Sequence, residues 1–313
     1  MNNNDQIPKK KHFLYNLFNP QGNGKGVEKE PEGPDNISKC FTIYKRNITN
    51  LLYMNLILIF GNFPIMFFLL ARAGFFSVAA MRPTSKMYSV IHGALLHGQN
   101  PALAALNGVF GQQATFSYPT TTTRILIALT LLIIFTIGPV RTGITYLMRS
   151  LVRRDPIFFK TDFFGAVKRN FPQCLWLGII DGLAIIMLLY GMMFYRTYAP
   201  LLFYVNIIVF SMYIMMRFYM YLLLITFDLS VWKILKNSVI FMLIGFKRNI
   251  VAYCGYILFF AVEYLLLVFY YPLAAIFPFI VMISSCVFFG TFAAYPKIKQ
   301  IMIDPYYAKQ NGQ

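Results

Sequence analysis

The triplet Lys-Arg-Asn occurs three times in this chain, at 45–47, 168–170 and 247–249, each time just before a long apolar run. Runs of about 20 apolar residues match the hydrocarbon thickness of a bilayer, and Lys and Arg accumulate in short loops that stay in the cytoplasm. A basic mark recurring at the entry to three apolar runs constrains the chain to one design: three pairs of membrane spans, each entered from the same side. The middle copy closes the stretch 138–170, which leaves one apolar segment and runs into the next. Between them it delivers six Lys or Arg residues from Arg149 to Arg169, opposed only by Asp155 and Asp162.

Composition agrees with that design. Of 313 residues, 58% are hydrophobic and 12% are charged, against about 25% charged in a typical soluble domain. Spans are expected at about 50–71, 124–147, 172–194, 199–225 and 250–271, with a sixth running to about 294. Pro64 is expected to kink the first, Gly138-Pro139 to interrupt the second, and Pro278 lies inside the sixth. With both termini inside, the inner segments hold 21 of the 28 Lys and Arg residues and the outer segments five.

The expected fold class is therefore an all-α polytopic membrane protein, six transmembrane helices in three hairpins over 40–300, N-in and C-in. A polar tail (1–39) and a short tail (301–313) are expected in the cytoplasm, and the chain is expected to be multi-pass in the cell membrane. The cytoplasmic loops are 148–171 and 226–249. In the second, Lys233, Lys236 and Asn237 share one helical face, which reads as an interfacial amphipathic helix with Trp232 at headgroup level. The outer loop 72–123 has no acidic residue. Its apolar stretches 86–97 and 101–110 are too short to span and are expected to form short helices in a packed cap. Asp162 is expected to cap a short helix leading to Lys168. No basic start is followed by an apolar core of signal-peptide type.

The net charge of +17 does not indicate nucleic acid as a partner, because the basic residues flank apolar runs instead of forming a face on a soluble domain. Cys40, Cys174, Cys254 and Cys286 form no CxxC pair or even framework, so no disulfide is expected. His92 and His97 are spaced i, i+5 with no acidic companion, so no metal is expected. The phosphate-loop, HExxH and GxSxG patterns are absent from the sequence, and no catalytic or cofactor-binding residues are assigned.

Four ionisable residues fall within spans: Arg141, Asp181, Arg217 and Glu263. An intramembrane charge is costly and marks a candidate site. At about 1.5 Å per helical residue, Asp181 lies about 16 Å beyond Asn170, Arg217 about 16 Å before Asp228, and Arg141 about 12 Å before Arg149. Residues of opposite sign thus share one depth on three spans, and Asp181 is expected to pair with Arg217 or Arg141. Glu263, about 21 Å beyond Asn249, is expected either to meet an outer-loop Arg or to stand alone.

The run Gly138-Pro139-Val140-Arg141-Thr142-Gly143, the basic Arg149-Ser150-Leu151-Val152-Arg153-Arg154-Asp155, the segment Asp162-Phe163-Phe164, and Phe227-Asp228-Leu229-Ser230 with Lys236-Asn237 together resemble the YesL-like membrane proteins, a family built on a domain of unknown function (number 624). Phe18-Asn19-Pro20, Gly24-Lys25-Gly26-Val27 and Glu30-Pro31 are similar to a leader found in such proteins. The resemblance covers most of 40–300 and departs at 72–123, where many members have a shorter loop. It implies an integral membrane protein of bacteria, without established activity or catalytic residues. Such proteins are often encoded beside carbohydrate ABC importers and sugar-responsive sensors. The expected role is non-enzymatic assistance to carbohydrate uptake or its regulation, with the lipid bilayer, importer subunits or a sensor protein as partners. The alternative is a small solute transporter or channel, for which the Pro-broken spans and buried charges speak.

Overall fold

A computed structural model of the chain describes residues 36–98 and 100–311. The leader-like segments, the tail up to residue 35 and the last two residues lie outside the described residues. The chain divides into two units, 1–39 and 40–313. The second is built almost entirely of helices.

In chain order the helices are α1 (Ile37–Arg46), α2 (Ile48–Gly61), α3 (Pro64–Arg72), then, after a strand, α4 (Tyr88–His97) and α5 (Pro101–Phe110). After a second strand come α6 (Thr121–Thr130), α7 (Ile133–Arg153), α8 (Phe159–Arg169), α9 (Phe171–Tyr198) and α10 (Pro200–Thr226). The chain closes with α11 (Val231–Ile244), α12 (Phe246–Phe269), α13 (Tyr271–Phe277), α14 (Ile283–Ile298) and α15 (Asp304–Asn311).

Among the described residues, five helical stretches are long and apolar enough to cross a membrane: Thr121–Arg153, Phe171–Tyr198, Pro200–Thr226, Phe246–Phe269 and Tyr271–Tyr307. The pair α2 and α3, bent by 70° at its break, makes a sixth if it is one span. The bend falls at Pro64, the position expected to kink it. The proline ring cannot coexist with a straight helical path past the carbonyl four residues back, and Asn62 Nδ2 donates to Leu58 O at 2.8 Å at the vacated helix end.

The second span breaks elsewhere than expected. Gly138-Pro139 lies inside the continuous helix α7, and the interruption is at Leu131-Leu132. Gly138 serves a contact instead. A Cβ placed there would stand 2.0 Å from the carbonyl oxygen of Cys174, and one on Gly178 would stand 2.4 Å from Gly138 Cα. The backbones of α7 and α9 therefore touch at two glycines, the close approach that small residues permit between membrane helices.

α10 is the central helix. Eight consecutive residues, Phe218–Ile225, are buried, which is how a helix surrounded on all sides behaves. Around it pack Cys174 and Leu177 of α9, Ile234, Phe241 and Met242 of α11, and Ala293, Ala294 and Ile298 of α14. A second cluster joins Leu51, Met54 and Leu58 of α2 to Ile144, Leu147 and Met148 of α7 and Phe288 of α14. The outward faces stay apolar. α12 alone exposes Ile257, Leu258, Phe260, Leu265 and Val268, far more continuous apolar surface than water tolerates and what lipid contact requires.

The last apolar stretch carries a π-helical turn at Pro278–Met282. Asn55, fully buried on α2, is built into it. Its Nδ2 donates to Pro278 O at 3.0 Å and Phe279 O at 2.7 Å, and its Oδ1 accepts from Ser284 N at 2.9 Å. Proline removes a backbone donor and the widened turn frees carbonyls, so one asparagine from a neighbouring helix satisfies groups that lipid cannot.

The loop 72–123 contains the two expected short helices, α4 and α5, framed by a feature the sequence did not announce. Strands β1 (Ser77–Pro83) and β2 (Gln113–Pro119) pair antiparallel, from Ser77 with Pro119 to Pro83 with Gln113. Gly74, at φ 80°, turns the chain into β1. The threonine run closes the base, where the hydroxyls of Thr120 and Thr123 both donate to Phe76 O, the latter at 2.7 Å. Arg82 lies 4.7 Å over the Tyr118 ring across the ribbon.

The three Lys-Arg-Asn triplets have a common structural use. α1, α8 and α11 are short helices that lead into α2, α9 and α12. At each joint the asparagine side chain donates back to the end of the short helix: Asn47 to Ile43 O at 3.0 Å, Asn170 to Ala166 O at 2.9 Å and Asn249 to Met242 O at 3.0 Å. The last carbonyls of a helix lack intrahelical donors, and an amide side chain supplies one while the chain changes direction. Asn249 is the deepest of the three. It is fully buried and also accepts from Tyr219 of the central helix at 2.8 Å. Asn249→Ala strands a buried hydroxyl and a buried carbonyl and should cost about 2–3 kcal/mol, whereas Asn47→Ala, half-exposed, should cost about 1 kcal/mol or less. Thermal unfolding of the two variants in detergent checks the order.

Within the middle joint, Asp162 Oδ2 accepts from Phe158 N at 2.9 Å, at the start of α8, as expected of a capping carboxylate. The helix before it ends on Arg154 in the left-handed conformation, φ 63°.

Candidate intramembrane charge site

α9 and α10 are antiparallel neighbours joined at Ala199. This brings Asp181 opposite Arg217, as equal depths require. Asp181 is fully buried. Arg217 Nη2 donates to its Oδ2 at 2.8 Å, and Arg217 Nε lies 2.7 Å from Oδ1. Two further donors complete the carboxylate. Tyr213 donates its hydroxyl to Oδ1 at 2.8 Å, and Tyr221 donates to Oδ2 at 2.9 Å. A carboxylate in a low-dielectric interior is tolerated only when paired and fully hydrogen-bonded, and Asp181 has both.

The pairing selects Arg217 over Arg141. Arg141, on α7, sits 6.0 Å over the ring of Tyr221. With Arg217, Tyr221, Tyr256, Thr145 and Thr291 it lines a cavity of about 10 Å³, room for about one water molecule. Two guanidinium groups and one carboxylate thus share the centre of the helix packing.

Tyr213 and Tyr221 were not anticipated from sequence. They stand four residues before and four after Arg217, so one stripe of α10 presents Tyr, Arg and Tyr in successive turns. That spacing is the signal that was there to be read. Asn206 was also missed. It is buried, and its Nδ2 donates to Leu188 O at 2.9 Å, tying α10 to α9 nearer their shared turn. At the other end, Arg149 of α7 donates to Thr226 Oγ1 at 3.0 Å, closing the last turn of α10.

Among the described residues Glu263 meets no arginine. Its Oε2 is buried without a hydrogen-bond partner among the described residues. A lone carboxylate costs stability, so Glu263→Gln should leave the unfolding temperature unchanged or raise it, by up to about 1–2 kcal/mol in stability. The contrast with substitutions at Asp181 in the same assay checks this.

No family model, no curated protein and no solved structure matches this chain. The site therefore stands on its own geometry. Among the described residues no group of three or more His, Cys, Asp or Glu is placed to hold a metal ion, and His92 stacks on Tyr88 with centroids 5.4 Å apart. The four cysteines are free thiols. Burial pushes the Cys40 thiol up to about 12, so it is a packing residue at neutral pH. What the Asp181 cluster can do chemically is hold helices in register: two tyrosines and one arginine of α10 converge on one carboxylate of α9.

Proposed function

We propose that this chain is a six-span protein of the cell membrane, YesL-like, with both termini in the cytoplasm, which assists carbohydrate uptake by an ABC-type importer, or its regulation, without catalysing a reaction. The observation that carries this reading is the state of the buried charges. Asp181 has its oxygens occupied by Arg217, Tyr213 and Tyr221, and the adjoining cavity has room for about one water molecule. Such a site locks helices together and leaves no space for a sugar. Two positions that carry the family resemblance have structural roles here: Gly138 forms the α7–α9 contact, and Asp162 Oδ2 accepts from Phe158 N at the start of α8.

The runner-up is a small transporter or channel. The 70° bend between α2 and α3 and the π-helical turn at Pro278–Met282 favour it, because broken helices are where transporters bind solutes. A tagged copy purified in mild detergent separates the two. Co-elution of importer subunits is the expected result. Their absence, together with solute flux through proteoliposomes holding the chain alone, would favour the runner-up.

A further inference from the structure

We propose that the joint between α11 and α12, with the end of α14, binds the headgroup of an anionic phospholipid. A cleft of about 520 Å³ opens here, lined by the basic Lys247, Arg248 and Lys297, by the apolar Ile244 and Phe246, and by Gln300. Among the described residues three cations line it and no carboxylate does. Arg153, by contrast, has Asp155 at 3.0 Å.

The cations are not equivalent. Arg248 is fixed, because its Nη2 donates to Phe292 O at 3.0 Å and its guanidinium lies 5.7 Å over the Phe292 ring. Lys297 Nζ donates to Gln300 Oε1 at 3.1 Å, a neutral acceptor that positions the ammonium without cancelling its charge. Lys247 is exposed. The cleft therefore offers one anchored guanidinium and two ammonium groups to a single anion.

The apolar wall decides the class of ligand. Ile244 and Phe246 stay about half exposed, at 53% and 47%, and the face of α12 beyond them, with Ile250 and Val251, is apolar and exposed too. A free phosphate ion has no use for such a wall. A phospholipid places its phosphate among the cations and its acyl chains along the wall, at the level where an apolar helix leaves the hydrocarbon. Basic pockets between spans recognise anionic headgroups in this way.

The test uses the full chain, delipidated in detergent and titrated with phosphatidylglycerol or phosphatidylcholine, with bound lipid counted by native mass spectrometry and stability read from thermal unfolding. Phosphatidylglycerol should bind and stabilise, and phosphatidylcholine should do neither. Each lysine removed should weaken binding about fivefold, and Lys247→Gln with Lys297→Gln about 25-fold. Lys233→Gln with Lys236→Gln, outside the cleft, should change nothing. If the double variant fails to stay monodisperse, Lys247→Gln alone, at an exposed position, should still show the fivefold loss. Equal binding of the two lipids, or full binding by the Lys247 and Lys297 variants, would overturn the proposal. So would competition by inorganic phosphate or an acidic peptide at matched charge, which would mean that the cleft reads charge and not lipid.

Discussion

Asp181→Asn should destabilise the protein by about 3–5 kcal/mol, the usual cost of breaking a buried ion pair from one side. The substitution keeps the size of the side chain but removes its charge. Arg217 then faces a neutral amide, with Arg141 lining the same cavity and no carboxylate to offset either. The amide also has one acceptor oxygen for a site where Tyr213, Tyr221 and Arg217 all donate, so at least one donor loses its bond or meets an N–H. Arg217→Gln should cost a similar amount, by leaving the carboxylate with tyrosines alone. The double variant should cost less than the two single effects added together, since it removes both charges; partners in direct contact couple by about 0.5–3 kcal/mol. Thermal unfolding in detergent, with the amount of folded protein in membranes alongside, gives all three values. Wild-type stability in both single variants would remove the cluster from any structural role.

Gly178→Ala should be nearly as damaging, at about 3 kcal/mol or more, at the upper end of overpacking effects. The atoms a new Cβ would strike are Gly138 Cα at 2.4 Å and Gly138 N at 2.6 Å. These belong to backbone, which cannot swing aside as a side chain can. α7 and α9 must separate, and they carry Arg141 and Asp181 three residues beyond the two glycines. The disturbance therefore reaches the charge cluster. Gly138→Ala should behave alike, with Cys174 O only 2.0 Å from its Cβ. Gly182, on the same helix with nothing within 4 Å of its Cβ, supplies the control. There alanine should stabilise by about 0.5–1 kcal/mol through helix propensity. Opposite signs at two glycines four residues apart on α9 would separate contact from propensity in one experiment.

Much of this architecture was legible because bilayers impose simple rules. Apolar runs of sufficient length, Pro64, and the placement of Lys and Arg sufficed to mark where the helices lie and where the first one bends. Equal spacing from the basic ends was enough to put Asp181 opposite Arg217, since helical rise is nearly constant. The failures have physical reasons too. Gly138-Pro139 reads as a helix breaker in isolation, yet its glycine is where another backbone presses, which is a tertiary fact. The actual interruption at Leu131-Leu132 involves two good helix formers, and nothing in the local sequence explains it. The β1–β2 ribbon pairs residues 30 or more positions apart across two helices, so no local pattern could reveal it. The tyrosine stripe around Arg217 was visible at its spacing of four, but it was hidden among the 21 tyrosines of an aromatic-rich chain. Asn55, a lone amide in an apolar helix, gave a similar signal, and its partner, a π-helical turn more than 200 residues away, gave none.

The central claim is that the three joints marked by Lys-Arg-Asn lie on one side of the membrane, with the outer ribbon and the Ala199 turn on the other. Single cysteines at Lys45, Lys168 and Lys247, and at Asn100 and Thr197, test it in intact cells with a membrane-impermeant maleimide. Cys254, the exposed native cysteine, is replaced by serine in the background. The expected result is labelling at 100 and 197 before the cells are opened, and at 45, 168 and 247 only afterwards. Labelling of any one triplet position in intact cells, together with 100, would contradict the claim.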